Sequence, residues 1–169
     1  LLFFPSIAPA QLTMMKSTPQ LKQLEVFVGN WIRSADEVQT GRPSPKHAKM
    51  EISWGPGEFW MTWNAEIQFT TGQTIHGRRQ VVWNSERNVY SSSWIDSQSA
   101  HIITSSATWL DEDSFQLEAN PFTWSEARSD QFRPRYDVVS TSQITETGWR
   151  SVDGAEFKKH SEAEWNKAE

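Results

Sequence analysis

The sequence contains no cysteine in its 169 residues. That excludes a disulfide framework, thiolate metal sites and a cysteine nucleophile, and leaves the redox compartment undecided. It also lacks an excess of basic charge. The 16 Lys and Arg stand against 21 Asp and Glu, a formal net charge of −5. A nucleic-acid partner is disfavoured, because neutralising phosphates requires a basic footprint. No apolar run approaches the ~20 residues of a membrane-spanning helix. There is no G-x-S-x-G, no P-loop and no G-x-G-x-x-G. The four histidines, His47, His76, His101 and His160, form neither H-x-H nor H-E-x-x-H, so no metal site and no cofactor is expected from local spacing. The run Ser91-Ser92-Ser93 reads as small strand residues rather than part of a catalytic triad.

Tryptophan is abundant. There are 10 Trp and 9 Phe against only 2 Tyr. Burying an indole calls for a partner for its N–H, so this many of them points to aromatic-lined space with polar edges. The length corresponds to one domain able to bury a core. With 37% hydrophobic and 22% charged residues, the chain reads as neither a disordered tail nor a membrane-spanning protein. Residues 1–16 read as an N-terminal arm and 17–169 as one β-barrel domain. The apolar stretch running into Ala8-Pro9-Ala10 fits either the remnant of a secretory signal or a loose arm. The first reading places the protein in a periplasm or outside the cell, the second in the cytoplasm. Ser17 or Thr18 then caps a short helix, with Pro19 in its first turn and Leu21, Leu24 and Phe27 or Val28 on one face, ended by Gly29.

From Asn30 onward the period is two. Phe59, Met61, Trp63, Ala65, Ile67 and Phe69 alternate with Glu58, Thr62, Asn64, Glu66 and Gln68, as expected of a strand with one buried face. Similar alternation runs through 31–39, 47–54, 74–84, 88–96, 100–110, 114–120, 130–139, 142–150 and 156–165. Turn residues lie between these runs: Gly41-Arg42-Pro43, Gly55-Pro56-Gly57, Thr71-Gly72, Asn84 to Asn88, Asp111-Glu112-Asp113, Gly148 and Asp153-Gly154. About ten strands without intervening helices cannot form a parallel sheet, whose crossovers need a dozen or more residues. The fold class is therefore all-β: an antiparallel up-and-down barrel of about ten strands with a short N-terminal helix. A barrel hides its edges and encloses room for one small ligand.

Parity then nominates side chains. Arg79 shares a face with Ile75, Val81 and Trp83. A charge on that face is either paired or in a wet lumen; alternatively, a kink near Gly77 swaps the faces. Tyr90, Ser92 and Trp94 share one face of their strand. His101 shares a face with Ile103 and Trp109, and His160 lies near Glu162 on the polar face of the last run. Arg128, Arg133 and Arg135 with Tyr136 form the local basic cluster, either an anion site at the barrel mouth or a solvated face beside Asp130 and Asp137.

The segment Leu24-Glu25-Val26-Phe27-Val28-Gly29-Asn30-Trp31 resembles the opening L-x-x-F-x-G-x-W of lipocalin-like, or calycin, barrels. Residues Trp83 to Ser97, W-N-S-E-R-N-V-Y-S-S-S-W-I-D-S, resemble a hairpin of the DUF1579-type branch of uncharacterised, mostly bacterial proteins, with Trp83-Asn84 where Tyr-Asp is usual. The Asp153-Gly154 turn before a last strand is similar as well. The likeness spans about residues 19–165. It implies a small barrel with an interior cavity and no settled activity, Trp31 closing its bottom, and the Tyr90/Trp94 face turned inward. The related nitrobindin-like haem barrels open with G-x-W-x-G-x-G; here Gly29-Asn30-Trp31-Ile32-Arg33-Ser34-Ala35 lacks the later glycines.

Three functional readings result. The first is binding of a small apolar or aromatic ligand by Trp63, Arg79, Trp83, Tyr90, Trp94, His101 and Tyr136. The second is a cofactor-free isomerase, cyclase or hydratase drawing on His101, Arg79 or Glu66. The third is a haem-binding barrel with an inward histidine. A carbohydrate module would need tryptophans on one flat exposed face, which their placement among apolar residues opposes.

Overall fold

The computed structural model describes residues 18–34, 45–99, 101–125 and 128–168. The N-terminal arm with its Ala8-Pro9-Ala10 pattern, the Ser17 cap, the end of the expected 31–39 strand, the Gly41-Arg42-Pro43 turn and the first residue of the 100–110 run lie outside them. Thr18 caps the single helical turn α1 (Pro19–Lys22), its hydroxyl accepting from the Leu21 N–H at 3.3 Å. Pro19 stands at the start, where no N–H is needed. The chain tightens into a 3₁₀ turn over Gln23–Phe27. Leu21, Leu24 and Phe27 are buried, so this segment is a plug driven into one end of the body that follows.

Eleven strands follow among the described residues: β1 (Gly29–Ser34), β2 (Pro45–Trp54), β3 (Trp60–Phe69), β4 (Thr74–Asn84), β5 (Val89–Asp96), β6 (Ile103–Trp109), β7 (Ser114–Ala119), β8 (Phe122–Ser125), β9 (Arg128–Ser140), β10 (Gln143–Val152) and β11 (Lys158–Lys167). Ten of them form a closed antiparallel barrel in the order β10-β11-β1-β2-β3-β4-β5-β6-β7-β9, with β9 pairing back onto β10. The expected fold class is therefore the observed one. The additional short strand is β8, which the alternation did not separate from its neighbours. β7 pairs with β9 only over Ser114–Gln116, and β8 takes up the start of β9. Pro121 between them has no N–H to give to a ladder.

Most turn residues close hairpins as their chemistry predicts. Asp111 Oδ1 accepts from the N–H groups of Asp113 and Ser114 at 3.0 and 2.8 Å, and Asn84 Oδ1 accepts from Arg87 N–H at 3.0 Å. Gly148 is a correction. It is not a turn but lies inside β10, at a register shift against β11. A Cβ there would collide with the Ser161 hydroxyl. The last strand also starts and ends later than the expected 156–165.

The plug end of the barrel is solid. Trp31, Ile52, Met61, Trp63, Val81, Tyr90, Phe115, Leu117 and Ile144 are buried there with Leu24 and Phe27. Phe27 meets Trp63, Trp109 and Phe115 at ring-centroid distances of 5.3, 5.7 and 5.6 Å. Among the described residues, no helix is long and apolar enough to cross a membrane.

Candidate functional site in the barrel lumen

Ladder register decides what faces the lumen. Trp63 on β3 stands opposite Arg79 on β4, which stands opposite Trp94 on β5. Tyr136 on β9 stands opposite Glu146 on β10, and Glu146 opposite Ala163 on β11. One layer of the lumen thus collects Arg79, Trp63, Trp94, Tyr136 and Glu146, with Arg33 from β1 and Trp165 from β11.

Glu146 is well supplied with donors. Trp165 Nε1–H donates to its Oε2 at 2.7 Å, Arg33 Nη1 approaches the same oxygen at 3.5 Å, and the Tyr136 hydroxyl faces Oε1 at 3.5 Å. The Arg33 guanidinium also lies over the Trp165 ring at 5.0 Å. Burial, and then the negative charge of Glu146, raise the Tyr136 pKa well above that of an ordinary phenol; Arg79 and Arg33 oppose this without reversing it. The phenol therefore stays a protonated donor at neutral pH.

Arg79 is held differently. Its guanidinium sits 5.7 Å from the Trp63 ring centroid and 5.5 Å from that of Trp94, each contact worth about 0.5–2 kcal/mol. The expected alternative of a kink at Gly77 is not realised, since β4 pairs without interruption on both sides. Gly77 serves another purpose: the Trp94 ring lies where its Cβ would be. Trp94 turns its Nε1–H to Asp96 Oδ2 at 2.9 Å. Arg79 Nε and Nη1 are buried and have no hydrogen-bond acceptor in the protein. The same holds for Trp63 Nε1 and Ser92 Oγ.

On the side away from the plug, the inward positions mix small residues, Ala48, Ala65, Gly77, Gly148 and Ala163, with larger ones, Ile67, Ile75, Ile103 and Phe132. Solvent reaches into the layer, and 20% of the Glu146 side-chain surface remains accessible.

The residues singled out in the sequence separate into three groups. Trp63, Arg79, Trp94 and Tyr136 meet in this layer. Trp83 and Tyr90 lie nearer the plug, their rings 4.9 Å apart, and the Tyr90 hydroxyl donates to the Gln20 carbonyl at 2.6 Å. Glu66 and His101 lie outside. Glu66 is exposed and faces His76 at 3.9 Å. His101 is exposed in the bend before β6, because Asp96 Oδ1 accepts from Gln98 and Ser99 N–H and turns the chain out of the ladder.

The basic cluster singled out in the sequence is paired. Arg133 meets Glu118 at 2.8 Å, Arg135 meets Asp137 at 2.9 Å, and Arg128 reaches Asp130 at 3.4 Å. Asp130 is fully buried and bridged by Arg150 at 2.9 and 2.7 Å. Burial pushes this carboxyl up, but hydrogen bonds and charge from Arg150, with Arg128, outweigh it and hold the pKa below the usual value.

Sequence reading missed Arg33, Glu146 and Trp165. A signal existed. Glu146 has the parity of buried Ile144, and Arg33 that of buried Trp31, the same argument that nominated Arg79. The histidines do not fit a haem ligand for this layer. His47 alternates with inward Ala48, His76 and His101 are exposed, and His160 lies against Phe132 at 6.1 Å. Among the described residues no group of three or more His, Asp or Glu could hold a metal ion.

A family model described as protein of unknown function (DUF1579) matches residues 16–167, and the chain belongs to that family. No curated protein matches it. Among solved structures, Rv2717c from M. tuberculosis is similar over 91% of this chain and 100% of its own, with 14% identity and a TM-score of 0.61. The S-type phycobiliprotein lyase CPES from Guillardia theta is similar over 88% of this chain and 91% of its own, with 10% identity and a TM-score of 0.53. At such identities the likeness is one of fold.

Proposed function

We propose that this DUF1579 protein binds a small apolar or aromatic molecule inside its barrel. The observation that carries the reading is the step in side-chain size along the lumen. Next to the plug the interior is filled by aromatic rings, whereas at and beyond the Arg79 layer alanines, Ala65 opposite Gly77 and Ala163 opposite Glu146, stand among aliphatic Ile67, Ile75 and Ile103. Between the two lies the half-buried Trp94 indole, which covers Gly77 and offers a stacking surface for a planar guest. The shared fold with a phycobiliprotein lyase supports the architecture and names no ligand for this chain.

Titration with the neutral probe naphthalene-2-acetamide, followed by tryptophan fluorescence, tests this. Saturable quenching is expected, weakened about three- to tenfold in Trp94→Ala by loss of one stacking contact. Absence of saturable quenching up to the solubility limit of the probe removes the reading.

A further inference from the structure

Resting on that lumenal reading, we propose that the natural ligand is an acid, an apolar or aromatic body bearing one carboxylate, and that Arg79 receives the carboxylate. An arginine remains protonated at any physiological pH. Placing its charge inside a barrel is costly unless counter-charge or hydrogen-bond acceptors are supplied. Among the described residues Glu146 places a carboxylate in this layer, and it is taken up by Trp165, Arg33 and Tyr136. No carboxylate of a described residue lies within ion-pairing distance of Arg79.

The two indoles flanking Arg79 hold the guanidinium in place through their faces, and a π face does not accept a strong N–H hydrogen bond. Tyr136 directs its hydroxyl to Glu146, and its oxygen lies close enough to the Arg79 guanidinium to feel its charge without taking up Nε or Nη1. Trp94 directs its N–H to Asp96. The buried Nε–H and Nη1–H of Arg79 therefore remain as donors without a protein acceptor. Ala65, one step beyond the Arg79–Trp63 pair, is small, while the place over its partner Gly77 is taken by the Trp94 ring, which forms the platform beside Arg79. Such a charged donor group beside an aromatic platform matches a carboxylate attached to a flat apolar body.

Three probes of one shape test the proposal on the full chain at neutral pH: naphthalene-2-acetate, naphthalene-2-acetamide and 2-(2-naphthyl)ethylamine. The acid is expected to bind about tenfold more tightly than the amide, the value of one charge-assisted hydrogen bond, and the amine most weakly. Arg79→Gln should abolish the advantage of the acid over the amide, and Arg79→Lys should retain part of it. An acid that binds no better than the amide, or an acid preference that survives Arg79→Gln, overturns the assignment. Amide binding without acid preference does so while leaving the lumenal reading intact. No binding by any probe removes both. Should Arg79→Gln fail to fold, the order of the three probes on the unmodified protein decides alone.

Discussion

Gly77 is glycine because the Trp94 ring occupies the place of a side chain. Gly77→Ala is expected to push the indole off Arg79 and cost about 1–3 kcal/mol, as overpacking does, read as a lower urea midpoint with a changed near-UV spectrum. Asp130 makes the sharpest statement about charge. Removing it in Asp130→Ala leaves Arg150 buried without its partner, at a cost of about 3–5 kcal/mol. Because the folded carboxyl titrates below its unfolded value of about 3.9, its contribution is present above that pH and lost as pH falls through the folded value. Stability of the unmodified protein should drop on acidification below about pH 4, and Asp130→Ala should lose less over the same interval. At this scale the sequence was informative wherever parity was followed. It placed Arg79 among Ile75, Val81 and Trp83, but the same test applied to Ile144 and Trp31 would have found Glu146 and Arg33. Glu66 alternates with Ala65 and Ile67, and its outward position follows from that alone.

The α1 and 3₁₀ segment is too short to be stable by itself, and its order comes from what it touches. Trp31 Nε1–H donates to the Phe27 carbonyl at 2.7 Å, Trp54 Nε1–H to Glu25 at 2.6 Å, and the Tyr90 hydroxyl to Gln20. Leu24 is fully buried, so Leu24→Ala should cost about 2–5 kcal/mol. Tyr90→Phe should cost about 1–2 kcal/mol and raise amide exchange across residues 19–27 more than elsewhere. The helix and its buried face were legible from Thr18, Pro19 and the Leu21, Leu24, Phe27 spacing. What they pack against was not, because those partners come from β1, β2 and β5, as many as 70 residues along the chain. The division between β7 and β8 escaped notice for a related reason: Pro121 signals an interruption, but only β9 shows that both pieces share one neighbour.

Closure of the barrel depends on β11, which joins β1 to β10 and brings the two ends of the described chain together. Deleting residues 158–169 would expose the edges of β1 and β10 and remove buried Trp165. The expected outcome is loss of cooperative unfolding and the appearance of large species in sedimentation, because unpaired edges associate. The alternation of apolar and polar residues, with turn residues between the runs, was enough to determine strands, antiparallel order and a barrel. These depend on local backbone preference and a period of two, both carried by neighbouring residues. Only the closed structure decided that Arg33, Trp63, Arg79, Trp94, Tyr136, Glu146 and Trp165 share one layer. Their meeting depends on the stagger between strands, which is fixed by packing around the whole ring and written in no single stretch of sequence.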